Sequence, residues 1–184
     1  GTGASNWTLV GLNAGIGGIQ RTAQLLDQWY WVDDPGVTNL RTSQNYGNFQ
    51  TASLTRHIAT FMDSQRSLIV SSVVHRGKSQ YRVYFSDGQA LYVTSANGKF
   101  LGATKVSLTH PFYTTYAYSR SDNTERLYAG GNTSGYVYEL DRGSSFDGSA
   151  IEANLTFNWN FMRSPRLIKR YRKLSLEIQG NFYA

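Results

Sequence analysis

Gln80-Tyr81-Arg82-Val83-Tyr84-Phe85-Ser86-Asp87-Gly88, running on through Ala90-Leu91-Tyr92-Val93, decides the fold class. Aromatic and β-branched residues flank an Asp-Gly dipeptide, the strongest short-range signal for two antiparallel strands joined by a tight turn. The same idea occurs upstream in Gln28-Trp29-Tyr30-Trp31-Val32-Asp33-Asp34-Pro35-Gly36-Val37. It occurs again downstream in Glu125-Arg126-Leu127-Tyr128-Ala129, through Gly135, to Tyr136-Val137-Tyr138-Glu139-Leu140. Gly36 and Gly88 are 52 residues apart, and Gly88 and Gly135 are 47 apart. A period near 50 residues, holding about four short strands, fits the blades of a β-propeller. The runs Leu68–Val74, Phe100–Leu108 and Phe112–Tyr118 supply the remaining strands. A plain β-meander, in which Asp-Gly and Pro-Gly turns also recur, is the other reading. Three periods do not close a propeller, which needs at least four blades. The chain is therefore expected to be part of a larger body or of a ring completed by other copies.

Working outward, Ile151 to Phe161 alternates strictly. Ile151, Ala153, Leu155, Phe157, Trp159 and Phe161 share one face, and Glu152, Asn154, Thr156, Asn158 and Asn160 the other. This predicts a strand of roughly 37 Å with one buried side. Ser164-Pro165 breaks it, and Leu174, Leu176 and Ile178 mark a second strand, so a long antiparallel hairpin is expected. A single short helix is expected near 54–63, with Leu54, Ile58, Phe61 and Met62 on one face and Ser53 as its cap. The predicted organisation is all-β: about three propeller-like blades over 1–148, including an N-terminal arm at 1–20, then the long hairpin at 149–184.

Composition agrees. The chain has 184 residues, 14% of them aromatic and only 16% charged, with 19 Ser, 16 Thr, 18 Gly and 12 Asn. Such a mixture favours strands and turns and is too aromatic for a disordered segment. There is no cysteine, which removes disulfide frameworks, cysteine-ligated zinc and thiol nucleophiles. The Asn-X-Ser/Thr triplets at Asn6, Asn132 and Asn154 arise easily by chance in so Asn-, Ser- and Thr-rich a chain. Residues 1–20 are uncharged but studded with Gly, Asn and Thr, so they resemble neither a spanning helix nor a signal peptide. A start at Gly1 and an abrupt end at Ala184 suggest a processed product or part of a larger protein.

Charge is concentrated near the C-terminus. Arg163, Arg166, Lys169, Arg170, Arg172 and Lys173 are six cations within 11 residues, with Glu177 the next anion. This stretch carries nearly all of the net charge of +6. It has two readings: contact with DNA phosphates, or ion pairing with carboxylates of a neighbouring subunit.

Catalytic patterns are missing. Gly77-Lys78-Ser79 looks like the end of a phosphate-binding loop, but position 72 is Ser and a strand rather than a helix is expected after it. Gly15, Gly17 and Gly18 lack the last fingerprint glycine, because position 20 is Gln. His57, His75 and His110 have no metal-ligand spacing and read as surface or packing residues. Asp34, Asp87, Asp122 and Asp147 sit where turns are expected. No catalytic, cofactor-binding or metal-binding residue is predicted.

Several blocks resemble one family. Tyr46-Gly47-Asn48-Phe49, Ser53-Leu54-Thr55-Arg56-His57-Ile58 and Lys78-Ser79-Gln80-Tyr81-Arg82 through Gly88 are similar, in order, to stretches of the tail nozzle proteins of short-tailed bacteriophages, also called tail tubular or hub proteins. Gly135 through Leu140, then Asp141-Arg142-Gly143-Ser144-Ser145-Phe146-Asp147-Gly148, continue the likeness, as do Ser164-Pro165-Arg166 and Lys169-Arg170-Tyr171-Arg172-Lys173. The resemblance covers roughly residues 15–180, although this chain is much shorter than the family's usual members. It implies propeller-derived β domains in a six-fold ring at the tail tip, with DNA passing through the lumen and no catalytic residues. It implies a virion component assembled in the host cytoplasm. Its partners would be other copies, neighbouring tail proteins such as the adaptor ring and fibres, and passing DNA, without membrane insertion. The alternative is a carbohydrate- or receptor-binding propeller module, in which Trp29, Trp31 and Tyr113 would stack on sugars. An enzyme on a propeller scaffold is a third reading, and fold alone separates none of these.

Overall fold

A computed structural model of the chain describes residues 24–33, 36–40, 55–97, 99–122, 124–132 and 135–154, together with Arg166, Ile168, Arg170 and Lys173. The chain divides into two units, Gly1–Ile151 and Glu152–Ala184.

The described residues of the first unit are mostly β-strands in antiparallel sheets. Strands β1 (Gln24–Leu25), β2 (Trp29–Asp33) and β3 (Gly36–Asn39) form the first sheet in that order. Strands β4 (Ile69–His75), β5 (Gln80–Phe85), β6 (Gln89–Ala96) and β7 (Lys99–Ser107) form the second, a four-stranded meander. Strands β8 (Thr114–Ser119), β9 (Glu125–Gly130) and β10 (Val137–Leu140) form the third. A two-stranded ribbon, β11 (Ser145–Phe146) and β12 (Ser149–Ala150), comes next. Among the described residues no sheet closes on itself.

Alternation explains how the sheets stack. In β5, Tyr81, Val83 and Phe85 point to one side and Tyr84 to the other, and all four are fully buried. The first side packs with Tyr30, Val32 and Val37 of the first sheet, where the Tyr30 and Tyr81 rings stack at 5.8 Å. The second side packs with Phe112, and with Leu127 and Ala129 of the third sheet. The middle sheet is therefore covered on both faces by antiparallel neighbours, and Gln80 to Phe85 reads as a continuous run rather than an alternating one.

Of the three markers of the period, Gly88 and Gly135 lie between the second and third strands of their sheets, and Gly36 opens the third strand of its own. All three have positive φ, at 119°, 84° and 67°, where glycine carries no steric cost. In the middle sheet the Gly88 N–H donates to Phe85 O at 3.2 Å, and Asp87 Oδ1 accepts from the Gln89 N–H at 3.0 Å, closing the turn.

The expected short helix forms as α1 (Ala59–Gln65), flanked by 3-10 turns at Arg56–Ile58 and Arg66–Leu68. Its N-cap is Ile58, which supplies no side-chain hydrogen bond; the expected cap Ser53 lies outside the described residues. Met62 is buried in the core between the first and second sheets, and Phe61 meets Phe85 edge-on at 5.8 Å.

One expectation is corrected. Residues 151–154 form no strand, and Ile151, expected on a buried face, is 47% exposed. The ribbon before it turns on Asp147 and Gly148, at φ 50° and 84°, and ends at Ala150, so no described strand pairs with residues 151–154. Alternation alone does not make a strand where no ladder partner is present. The rest of the predicted hairpin, with Leu155, Phe157, Trp159, Phe161, Leu174, Leu176 and Ile178, lies outside the described residues.

Candidate ionic centre between two sheets

Arg82 is the anomaly of the buried strand β5, a charged side chain only 1% exposed. A buried guanidinium demands partners, and it has them. Its NH2 lies 2.7 Å and its NH1 3.1 Å from the two carboxylate oxygens of Asp141, a bidentate geometry. Its Nε and NH2 also donate to Gln80 Oε1 at 3.0 and 2.7 Å. Its Cζ sits over the Tyr92 ring, 4.2 Å from the ring centre.

Asp141 directly succeeds β10 and takes a left-handed backbone, φ 61°. That conformation turns the carboxylate, 21% exposed, inward onto the middle sheet while the backbone stays at the surface. Lys78 Nζ reaches the same Oδ2 at 3.0 Å, and His75 Nε2 lies 3.3 Å from it. The other ring nitrogen of His75, Nδ1, lies 2.7 Å from Glu125 Oε2. That oxygen also accepts the Gly77 N–H at 2.9 Å. His75, at the end of β4, thus bridges the two carboxylates at the open end of the β9–β10 hairpin. Gly77 suits its place: a Cβ there would stand 3.2 Å from the His75 ring.

Burial works against ionisation of Asp141. The hydrogen bonds and charges of Arg82 and Lys78 outweigh it and hold the carboxyl below its ordinary value. Burial opposes ionisation of Glu125 too, and the backbone N–H groups of Gly77 and Arg76, with His75, outweigh it. Burial pushes the Tyr84 phenol well up, and Tyr92 likewise rises through burial.

Chemically the arrangement is closely paired, with Glu125 Oε1 the buried oxygen that has no hydrogen-bond partner among the described residues. Both His75 nitrogens face carboxylates, and Asp141 is shared among a guanidinium, an ammonium and the imidazole. A general base needs a free lone pair within reach of a substrate proton, and this histidine directs neither nitrogen outward. Among the described residues no group of three or more His, Cys, Asp or Glu side chains is arranged to hold a metal ion. No helix among them is long and apolar enough to cross a membrane.

The centre departs from what the sequence suggested. His75, expected to be a surface or packing residue, is a buried bridge between two ions. His110 pairs with Asp147 at 3.0 Å and stacks on Tyr138 at 5.2 Å, while His57 is exposed. Lys78 ends a 3-10 turn, Arg76–Lys78, ahead of β5, and Ser79 caps it at φ 52°. Of the basic cluster, Arg166, Arg170 and Lys173 are exposed, and Arg163, Lys169 and Arg172 lie outside the described residues. Trp29 is exposed, whereas Trp31 and Tyr113 are half-buried. The one local signal for the centre was Arg82 itself, a lone charge inside an apolar strand. Its carboxylate partner Asp141 stands 59 residues away, and Glu125 stands 50 residues from His75, so spacing carried no hint of either pair.

No protein-family model matches the chain, and neither a curated protein nor a solved structure matches it.

Proposed function

We propose that this chain is a non-catalytic structural component of a bacteriophage tail, part of the nozzle or hub ring through which DNA leaves the particle. In this reading its sheets are successive propeller-type blades, it assembles with other copies into a six-fold ring in the host cytoplasm, and it resides in the virion beside adaptor and fibre proteins. One observation carries it: three antiparallel meanders stacked face to face, each with a positive-φ glycine at the passage from its second strand to its third. That is how blades repeat, and it agrees with the likeness of the sequence blocks to tail nozzle proteins. The ionic centre supports a structural role, since its ion pairs tie the second sheet to the third. The basic residues Arg163, Arg166, Lys169, Arg170, Arg172 and Lys173 face either passing DNA or a neighbouring subunit.

Electron microscopy of the purified full chain, alone and within phage particles labelled by an antibody against it, tests this. Six-fold rings at the tail tip are expected; a uniformly monomeric protein, or label absent from particles, refutes it. A second reading, a carbohydrate- or receptor-binding module, is favoured by Trp29, a residue 48% exposed on a sheet face. Binding on a glycan array that Trp29→Ala abolishes would favour it over the tail role.

A further inference from the structure

The interface between the second and third sheets has a recognisable chemistry. The covered face of the second sheet presents Tyr84 and Tyr92 around Arg82, whose charge is met by a carboxylate. The outer face of the third sheet repeats that pattern. Cross-strand register places Tyr116 opposite Tyr128, Tyr118 opposite Arg126, and Tyr128 opposite Glu139. Arg126 is ion-paired with Glu139, and Val137 lies on the same face. In the covered case Tyr84 is fully buried and Tyr92 half-buried. Here Tyr116 is 64% and Val137 73% exposed. Tyr116, Tyr118 and Tyr128 near a paired arginine, with Val137 further along the same face, make a contact surface of the kind rich in Tyr and Arg at interface centres.

The other end of the stack also shows apolar surface. Tyr30 of β2 faces the core, so Leu25 and Trp29, which are directly opposite each other across β1 and β2, face away from it, and both are exposed.

We propose that the outer face of the third sheet, centred on Tyr116, Tyr128 and Val137, receives the outer face of the first sheet, Leu25 and Trp29, of a second copy of this chain. The contact continues between copies the face-to-face stacking that joins the sheets within one copy, and it buries both apolar ends at once. Because the two faces differ, the contact is head-to-tail, and repeated contacts of that kind close into rings or run on as filaments. This deepens the ring reading above and rests on its view of the sheets as successive blades.

The absence of native cysteine makes the test clean. Tyr116→Cys and Trp29→Cys are prepared as separate full-length variants, one carrying a mass tag, mixed and oxidised. Both positions are exposed, so unchanged circular dichroism is expected and is checked. A mixed disulfide between the two variants, exceeding either homodimer, is the expected result. Tyr116→Arg combined with Val137→Asp is expected to weaken self-association about tenfold or more, as loss of interface aromatics does. Predominance of the Tyr116→Cys homodimer would mean a two-fold contact and overturn the head-to-tail proposal. A monomeric chain with no cross-link would overturn it as well. A six-fold ring without the mixed disulfide sinks this contact and leaves the tail role standing. A mixed disulfide in copies that form no six-fold ring supports the contact and sinks the tail role.

Discussion

Asp141 and Arg82 show how much one pair can carry when a guanidinium has no access to water. Removing the carboxylate as Asp141→Ala leaves Arg82, 1% exposed, with Gln80 as its remaining hydrogen-bond acceptor. Stranding one partner of a buried pair costs about 3–5 kcal/mol, and urea unfolding is expected to report a loss in that range. Arg82→Met combined with Asp141→Asn removes both charges and is expected to lose less than the two single changes together, because the pair is coupled. The same carboxylates set an acid limit. Asp141 and Glu125 both titrate below their ordinary values of 3.8 and 4.5 in the folded protein. The unfolded chain therefore binds more protons as the medium becomes acidic. Their contribution is complete above those ordinary values and is lost as pH falls through the lower, folded ones. Thermal unfolding tracked downward from neutrality is expected to hold level until about pH 5 and then drop, and Asp141→Asn is expected to flatten that drop. Gly88 is a residue of another kind. Its φ is 84°, and a Cβ at this position would stand only 3.3 Å from the Leu108 carbonyl oxygen, so alanine is both strained and crowded. Gly88→Ala is expected to cost about 1–2 kcal/mol by the same urea assay.

At the scale of elements, the helix and the strands were legible for different reasons. The strands from Gln80 to Val93 were readable because each carries β-branched and aromatic residues around an Asp-Gly turn, and those preferences agree with the sheet that forms. The helix was readable from Ile58, Phe61 and Met62, although it lacks a side-chain cap and covers only seven residues. A helix that short is unstable alone, so packing must hold it. Met62→Ala is expected to cost about 2–5 kcal/mol, measured by chemical denaturation. Ile151 failed for the complementary reason. Its alternation continues on paper, but a strand exists only where another strand supplies the hydrogen bonds, and periodicity does not say which strand that is. The ionic centre was hidden for a related cause. Arg82 announced that a partner was needed, while Asp141, 59 residues away, reaches it only because β10 ends beside β5 and turns left-handed.

At the scale of the whole molecule, and within the proposed tail ring, the six-cation cluster is the feature whose role assembly would decide. A lumen lining that gripped DNA strongly would slow its passage, since each neutralised phosphate adds to the binding and its salt dependence. Pairing with carboxylates of an adjacent subunit carries no such conflict. Arg166, Arg170 and Lys173 are exposed in the isolated chain, as cations awaiting a partner would be. If the proposed ring forms, replacing all six with Gln is expected to weaken it while leaving each chain folded, because the first unit, Gly1–Ile151, contains none of them. Salt separates the two roles. Raising ionic strength from about 0.01 M to about 1 M shortens the reach of a charge from roughly 30 Å to roughly 3 Å. Mass measurements of the native assembly across that range are expected to show subunits dissociating as salt rises. The Gln variant is expected to be weaker at low salt and nearly indifferent to it. A variant whose ring is intact at every salt concentration, but whose particles release DNA at an altered rate, would place the cations on the lumen instead.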